Sequence, residues 1–189
     1  MKRITWCAVA VSILAGVVAF RTPASGQTDV DATPIYGIKI PSGYRDWPLI
    51  SVARVGGPVN DIRAKLGNDV AIRAFRAGTT QFPDGTVIAR LAWTQVNSDE
   101  NNAVFRSAML AQRLSPDVIQ EVLSESSVAG PPTNVQFMVK DSKKYASTGG
   151  WGFAEFTDGK PDGEAVHKTC FPCHAPAKDR DFVFTHYSH

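Results

Sequence analysis

The feature that most constrains this chain is a short motif near its C-terminus, in which two cysteines are followed directly by a histidine. Cys170-Phe171-Pro172-Cys173-His174 has the spacing C-x-x-C-H, which is the attachment signature of c-type haem. Two thiols at this spacing can add to the two vinyl groups of one porphyrin, and the adjacent imidazole can then ligate the iron. The motif therefore predicts one covalent haem c, held by Cys170 and Cys173, with His174 as the proximal iron ligand.

Three other uses of the cysteine pair remain open at this point. A zinc site needs about four protein ligands, and the chain has no second cysteine pair to supply them. A redox dithiol needs the pair to follow a strand and open a helix near the start of a βαβ unit, whereas this pair lies near the C-terminus. A disulfide that closes a loop of two residues would be strained.

The N-terminal residues predict an export signal. A basic start, Met1-Lys2-Arg3, precedes an uncharged apolar run over residues 4–20, and Ala24-Ser25-Gly26 offers small residues for cleavage. We therefore expect a signal peptide over residues 1–26 and a periplasmic protein, which agrees with haem c because that cofactor is attached outside the cytoplasm. An uncleaved membrane anchor is the alternative, since the apolar run approaches the length that spans a bilayer.

The remaining chain is divided by its composition. Residues 27–42 are rich in Thr, Asp, Pro and Gly and are predicted to be a linker, and residues 43–187 are long enough for one domain with a core. The chain has 20 Lys and Arg against 18 Asp and Glu, and without residues 1–26 it would lose three of the basic side chains. Because neither balance gives a basic surface, we expect no nucleic-acid partner.

Apolar periodicity over residues 43–187 predicts an α+β domain, mainly an antiparallel β-sheet with a few helices. The predicted strands cover residues 49–55, 62–66, 86–94, 134–141 and 151–156, and the predicted helices cover residues 70–76, 103–113, 116–123 and 164–174. In the strand at 86–94, Val87, Ala89, Leu91 and Trp93 should point to one face, and Ile88, Arg90 and Ala92 to the other. Gly130-Pro131-Pro132 is expected to end a helical insert over about residues 97–133.

Several stretches, taken in order, resemble the cytochrome P-460 family, which includes the β-sheet cytochromes c′-beta. Besides the haem motif, the matching stretches are residues 43–47, 66–71, 82–93, 135–141, 144–146, 150–153 and 181–185. The resemblance implies an antiparallel-sheet fold with one haem near the C-terminus, bound by Cys170, Cys173 and His174. It also implies a five-coordinate iron that is open to nitric oxide or a similar small nitrogen compound. A redox partner protein and a homodimer are further expectations from the family.

The namesake members of the family oxidise hydroxylamine or nitric oxide and carry a lysine joined to the porphyrin, whereas the c′-beta members lack that bond. Arg90 occupies the aligned position here. A guanidinium stays protonated and is a poor nucleophile, so we expect no cross-link, and Arg90 becomes a distal candidate that contacts a propionate or the bound ligand. The sequence thus favours an exported mono-haem cytochrome that binds nitric oxide or exchanges electrons. A hydroxylamine or nitric oxide oxidoreductase and a six-coordinate electron carrier are the alternatives.

Other side chains are candidates for the surroundings of the haem. Glu155 and Glu164 are candidate proton relays in an oxidase, Phe75 and Phe82 could cap the iron, and Met138 and Met109 could supply an axial sulfur. We expect His167 to face solvent or a propionate, and His186 and His189 to be unligated. Trp93, Trp151, Phe153 and Phe156 are expected to pack around the porphyrin or in the core.

Overall fold

The computed structural model describes residues 30–188, so the predicted signal peptide and His189 lie outside the described residues. The described chain forms a six-stranded antiparallel sheet whose strands follow one another in chain order. The strands are β1 (Leu49–Val55), β2 (Asp61–Gly67), β3 (Val87–Val96), β4 (Val128–Lys140), β5 (Trp151–Thr157) and β6 (Lys160–Pro161). The α-helices are α1 (Asp69–Arg76), α2 (Asp99–Ala111), α3 (Pro116–Glu125) and α4 (Glu164–His174). The predicted α+β class is confirmed.

Asn68 shows how the sequence sets the course of the chain between two strands. Its side-chain oxygen accepts the Ala71 N–H at 3.0 Å, which caps α1, and the Val87 N–H at 3.1 Å, which fixes the start of β3. Its amide group donates to the Gly85 carbonyl at 2.8 Å. Because the side chain of an N-cap residue satisfies an otherwise unpaired helical N–H, one asparagine both starts the helix and locks the turn that follows it.

The strands β3, β4 and β5 present two different faces, because alternate residues of a strand point to opposite sides. On one side the cross-strand rows are Ala89–Phe137–Ala154 and Leu91–Val135–Phe156. These six residues, which we call the packed face, are each no more than 9% exposed. On the other side the rows are Ile88–Met138–Phe153 and Arg90–Gln136–Glu155, and these six residues form what we call the cavity face. The alternation predicted for residues 86–94 is confirmed.

The insert between β3 and β4 differs from the expectation. Gly130-Pro131-Pro132 does not end it, because β4 already begins at Val128 and includes both prolines. Proline lacks the N–H that a strand ladder needs, and it is tolerated at edges and bulges. The register of β3 against β4 shifts twice in this stretch, and β5 joins β4 only from Val135 onward, so the missing donors are accommodated.

The helices of the insert contribute little to the core. Helix α2 buries none of its 13 residues, while α3 buries Ile119 and Leu123. Among the helices within residues 30–188, none combines the length and the apolar character needed to cross a bilayer.

Part of the stretch that its composition predicts to be a linker packs against the sheet. Tyr36 and Ile38 are only 8% and 6% exposed. The Tyr145 hydroxyl donates to the Tyr36 carbonyl at 3.1 Å, and the Thr33 hydroxyl accepts the Ile38 N–H at 3.1 Å. Tyr36 and Ile38 belong to the core. The composition of residues 27–42 does not reveal this, because most of their neighbours in the sequence are turn-forming residues.

Candidate haem-binding site

Helix α4 carries the cysteine–histidine motif, and it has the predicted bounds of 164–174. His167 fixes this helix to β5, because its Nε2 accepts the Glu155 N–H at 3.1 Å and its Nδ1 lies 3.0 Å from the Gly163 carbonyl. The residue is fully buried. The expectation that His167 faces solvent or a propionate is therefore wrong, since both ring nitrogens serve backbone groups.

Cys170, Cys173 and His174 line one cavity of about 510 Å³ that lies against the cavity face of the sheet. The other residues that line it are Ile88, Arg90, Asn134, Gln136, Phe137, Met138, Phe153, Ala154 and Glu155 from β3 to β5, Arg63 and Lys65 from β2, Thr169 from α4, and Val183, Phe184 and Thr185 from the C-terminal segment. A cavity of this size is typical of sites for cofactors and drug-sized ligands. The fold thus brings the whole motif to a single concave site.

His174 is prepared to bind a metal through one nitrogen. Its Nδ1 donates to the Phe182 carbonyl at 2.7 Å, which leaves Nε2 as the nitrogen with a free lone pair. The ring lies between Phe153 and Phe184, with centroid distances of 5.0 and 4.9 Å. Burial lowers the pKa of His174 below its ordinary value, so the imidazole is in the neutral form that ligates metals.

The two cysteines are not joined to each other, as a disulfide would require. They lie toward the C-terminal end of α4, whereas a redox dithiol would open a helix. Within the described chain, no three His, Cys, Asp or Glu side chains gather as a metal-binding set. Burial raises the pKa of Cys170 to about 11, and Glu155 and Cys173 add to this shift, so its thiol stays protonated.

A chain of hydrogen bonds crosses the cavity face. Arg90 donates to Asp61 at 2.8 Å and to Asn134 at 3.0 Å. Asn134 and Gln136 in turn donate to the two carboxylate oxygens of Glu155 at 2.6 and 2.7 Å. Arg90 is thus held in place by its neighbours, and its Nε is buried without a partner.

Basic side chains outnumber the acids around the Arg90 end of the cavity. Lys65 stands opposite Arg90 in the pairing of β2 with β3, and Arg63 also lines the cavity. Burial lowers the pKa of Lys65, and the charges of Arg63 and Arg90 lower it further. Burial and the charge of Arg63 likewise lower the pKa of Arg90. An anionic group in the cavity would relieve this crowding.

These residues fit a haem. The two thiols match the vinyl groups of a haem, and the neutral imidazole with its free nitrogen matches the iron. The apolar row matches the porphyrin, and the basic side chains match the propionates. Sequence reasoning missed Arg63 and Lys65. The signal was present, since Arg63 and Lys65 are two residues apart in the strand predicted at 62–66 and therefore share a face, opposite Ile62, Ala64 and Leu66.

The structure brings only some of the other candidate residues to the cavity. Arg90, Glu155, Met138 and Phe153 line it. Glu164 does not line it: its side chain is 60% exposed, and its carboxylate pairs with Lys168 at 2.6 Å, a contact that lowers its pKa. That lowered pKa is opposite to what a general acid needs.

The remaining candidates lie elsewhere in the described chain. Phe75 and Phe82 pack against each other in the core, with ring centroids 4.9 Å apart, and neither lines the cavity. Met109 lies on α2. Trp151 and Phe156 are buried in the core, Trp93 is partly buried against it, and His186 contacts Arg180 at the surface.

Comparison with known proteins agrees with this site. A family model described as Cytochrome P460 matches residues 41–185, which is more than half of the chain and includes the cavity face and α4. No curated protein matches the chain. By the extent of the family match, the chain belongs to the cytochrome P460 family.

Proposed function

We propose that this protein is an exported cytochrome with one haem c, attached through Cys170 and Cys173 and ligated by His174. In this proposal the iron has an open coordination position that binds nitric oxide or a similar small ligand, and it exchanges electrons with a partner protein in the periplasm. Membership of the cytochrome P460 family supports the haem itself. The observation that supports attachment through these three residues is the shared cavity, because both thiols and a neutral imidazole line the same 510 Å³.

The side chains around the cavity would have different roles in binding the haem. Bound there, a haem supplies an iron that takes a small ligand and changes its oxidation state. His174 would hold the iron, with its ring fixed by the Phe182 carbonyl. The apolar row Ile88–Met138–Phe153 would exclude water. Arg63, Lys65 and Arg90 would balance the propionate charges.

The test is to express the full chain in a host that exports it and attaches haem c. We expect an intact mass equal to one haem plus a chain that starts at Gln27, and a reduced protein that binds nitric oxide or carbon monoxide within the mixing time. The matched control is the double variant Cys170→Ser/Cys173→Ser, which should retain no covalent haem. A colourless wild-type protein with two titratable thiols would refute the proposal.

One observation favours a second candidate, a six-coordinate electron carrier. Met138 lines the same cavity as His174, so its sulfur is available as a second axial ligand. Met138→Leu and Met109→Leu form a matched pair, because only the first residue is at the cavity. Under the main proposal neither change alters the spin state. A wild-type protein that is low-spin, and becomes high-spin only in Met138→Leu, would establish the carrier instead.

An oxidoreductase that acts on hydroxylamine or nitric oxide would need a proton relay at the cavity, and Glu155 lies there while Glu164 does not. The measurement is reduction of an artificial electron acceptor driven by hydroxylamine. Turnover that is lost in Glu155→Gln and kept in Glu164→Gln would favour this candidate. Absence of turnover in the wild-type holoprotein would leave ligand binding and electron exchange as the function.

A further inference from the structure

The proximal ligand depends on one backbone carbonyl, that of Phe182. His174 Nδ1 donates to it at 2.7 Å, so this carbonyl sets the orientation of the ring and the electron density on the opposite nitrogen. Hydrogen bonds of this kind fix the tautomer of a metal-binding histidine and raise its basicity. Whatever holds the Phe182 carbonyl in place therefore acts on the iron through His174.

The backbone that carries this carbonyl has a conformation that needs support. Asp181 and Phe182 are consecutive, and both lie in the left-handed region, with φ values of 49° and 63°. Residues with side chains seldom adopt it, and it persists where the surroundings enforce it. The ring of Phe182 occupies the space beside Gly149 that a Cβ would fill, so the turn at Gly149 supports one side of the segment.

A buried ion pair supports the other side. Lys140 Nζ donates to both carboxylate oxygens of Asp181, at 2.7 and 2.9 Å, and the two residues are only 9% and 4% exposed. Asp181 also accepts the Phe82 N–H at 2.9 Å, and Lys140 donates to the Gly149 carbonyl at 3.2 Å. The pair thus ties the end of β4, the Gly149 turn and the Phe82 segment to the residue next to the carbonyl.

Stability alone accounts poorly for such a pair. Two buried charges lose their hydration, and apolar side chains of similar volume often stabilise a protein as well or better. An apolar pair would not fix the position of residue 181 through directed hydrogen bonds. We propose that Lys140 and Asp181 are positioning residues for the proximal ligand, and that their ion pair sets the hydrogen bond between Phe182 and His174. This inference rests on the proposed function, since it concerns the residue that would ligate the iron.

The first test is Asp181→Asn in the holoprotein. Asparagine keeps an acceptor for the Phe82 N–H and tolerates the left-handed backbone, but it removes the charge. We expect a lower iron–histidine stretching frequency in the resonance Raman spectrum of the ferrous protein, because a weaker hydrogen bond makes the imidazole a poorer donor. The ratio of ferrous to ferric protein at a fixed potential should rise by about threefold to tenfold, where tenfold equals about 59 mV for one electron.

A second variant separates positioning from stability. Lys140→Met/Asp181→Asn leaves no unpaired buried charge, so it should regain the stability that a single change loses. The stretching frequency and the midpoint potential should nevertheless stay shifted. Ser51→Ala is the control, because it removes a different tether of the same C-terminal segment, the 3.0 Å contact between the Ser51 and Thr185 hydroxyls. We expect it to lower stability and to move neither signal.

Wild-type values of both signals in the double variant would overturn the inference, and so would a shift in Ser51→Ala as large as that in Asp181→Asn. Failure of the proposed function has a different signature. In that case the wild-type protein itself would carry no covalent haem or show no iron–histidine band.

Discussion

The two faces of β3, β4 and β5 are built from neighbouring residues but differ in their chemistry. One face packs apolar side chains, and the other holds a row of hydrogen-bonded polar side chains. On the packed face, Phe137 is 1% exposed, and its ring packs edge-on against Tyr44 and Phe156 at 5.1 and 5.9 Å. On the cavity face, the side-chain amide of the adjacent Gln136 donates a hydrogen bond to the Glu155 carboxylate. The first face lowers the free energy of the fold by removing apolar surface from water. The second keeps polar groups in fixed positions, and each of them needs a partner. At the neighbouring positions Gln136 and Phe137, one strand thus places a polar group of the cavity next to a side chain that stabilises the core.

The largest loss of stability is expected from a substitution on the packed face. Phe137→Ala would leave a cavity between Tyr44 and Phe156, and we expect a loss of about 3–5 kcal/mol in the free energy of unfolding. Denaturant unfolding of the holoprotein measures it, with Gln136→Ala as the control on the other face. If the two variants lost equal stability, the division between the faces would not hold.

A smaller loss is expected from the polar side. Arg90→Met would leave the Asn134 side-chain oxygen without its donor and would remove one of the two arginines that donate to Asp61, the other being Arg63. This should cost about 1–3 kcal/mol in unfolding free energy. Arg90→Lys keeps the charge but cannot reach both partners in the geometry of a guanidinium, so its loss should be intermediate. A full loss in Arg90→Lys would show that geometry matters more than charge. No loss in either variant would contradict a structural role for the hydrogen-bonded chain.

The cavity also makes the two thiols unequal before haem is attached. Because the pKa of Cys170 is raised to about 11, little thiolate exists at pH 8, and alkylation depends on the thiolate. In haem-free protein we expect Cys170 to react at least about tenfold more slowly than the exposed Cys173. The rate at Cys170 should keep rising as the pH increases toward 11. Mass spectrometry of peptides after timed alkylation measures both rates, and equal rates would contradict the burial of Cys170.

The smallest change in stability is expected from a substitution at a residue that belongs to neither face. Val104 on α2 is 64% exposed, so Val104→Ser should change the free energy of unfolding by no more than about 0.5 kcal/mol. Thermal unfolding of this variant beside Phe137→Ala gives the two ends of the scale. A loss above 1 kcal/mol would mean that the exposed side of α2 is covered by something else in solution.

The sequence was informative where the signal is local. Alternation predicts that Ala89 and Arg90 lie on opposite faces, and the helix predicted over 164–174 has those bounds in the structure. It was uninformative where a contact joins distant segments. Nothing near His167 in the chain indicates that its ring receives the Glu155 N–H, and nothing near Asp181 indicates Lys140 as its partner. Pro131 and Pro132 misled for another reason, because a strand that is paired on one side and bulged tolerates residues that an interior strand excludes.

The order of the strands has a consequence for how the chain folds. Each strand pairs with its neighbour in sequence, so the sheet can grow one hairpin at a time. The connections β1–β2, β4–β5 and β5–β6 are short and close with less loss of entropy than the two longer ones, which carry α1 and the pair α2 and α3. The C-terminal segment is different, because its hydrogen bonds join it to distant parts of the chain. The Ser188 N–H donates to the Ile50 carbonyl, and the Asp181 carboxylate accepts the Phe82 N–H. We expect the hairpins to form early and this long-range closure to come late, which would leave the cysteines accessible for haem attachment on a sheet that already exists.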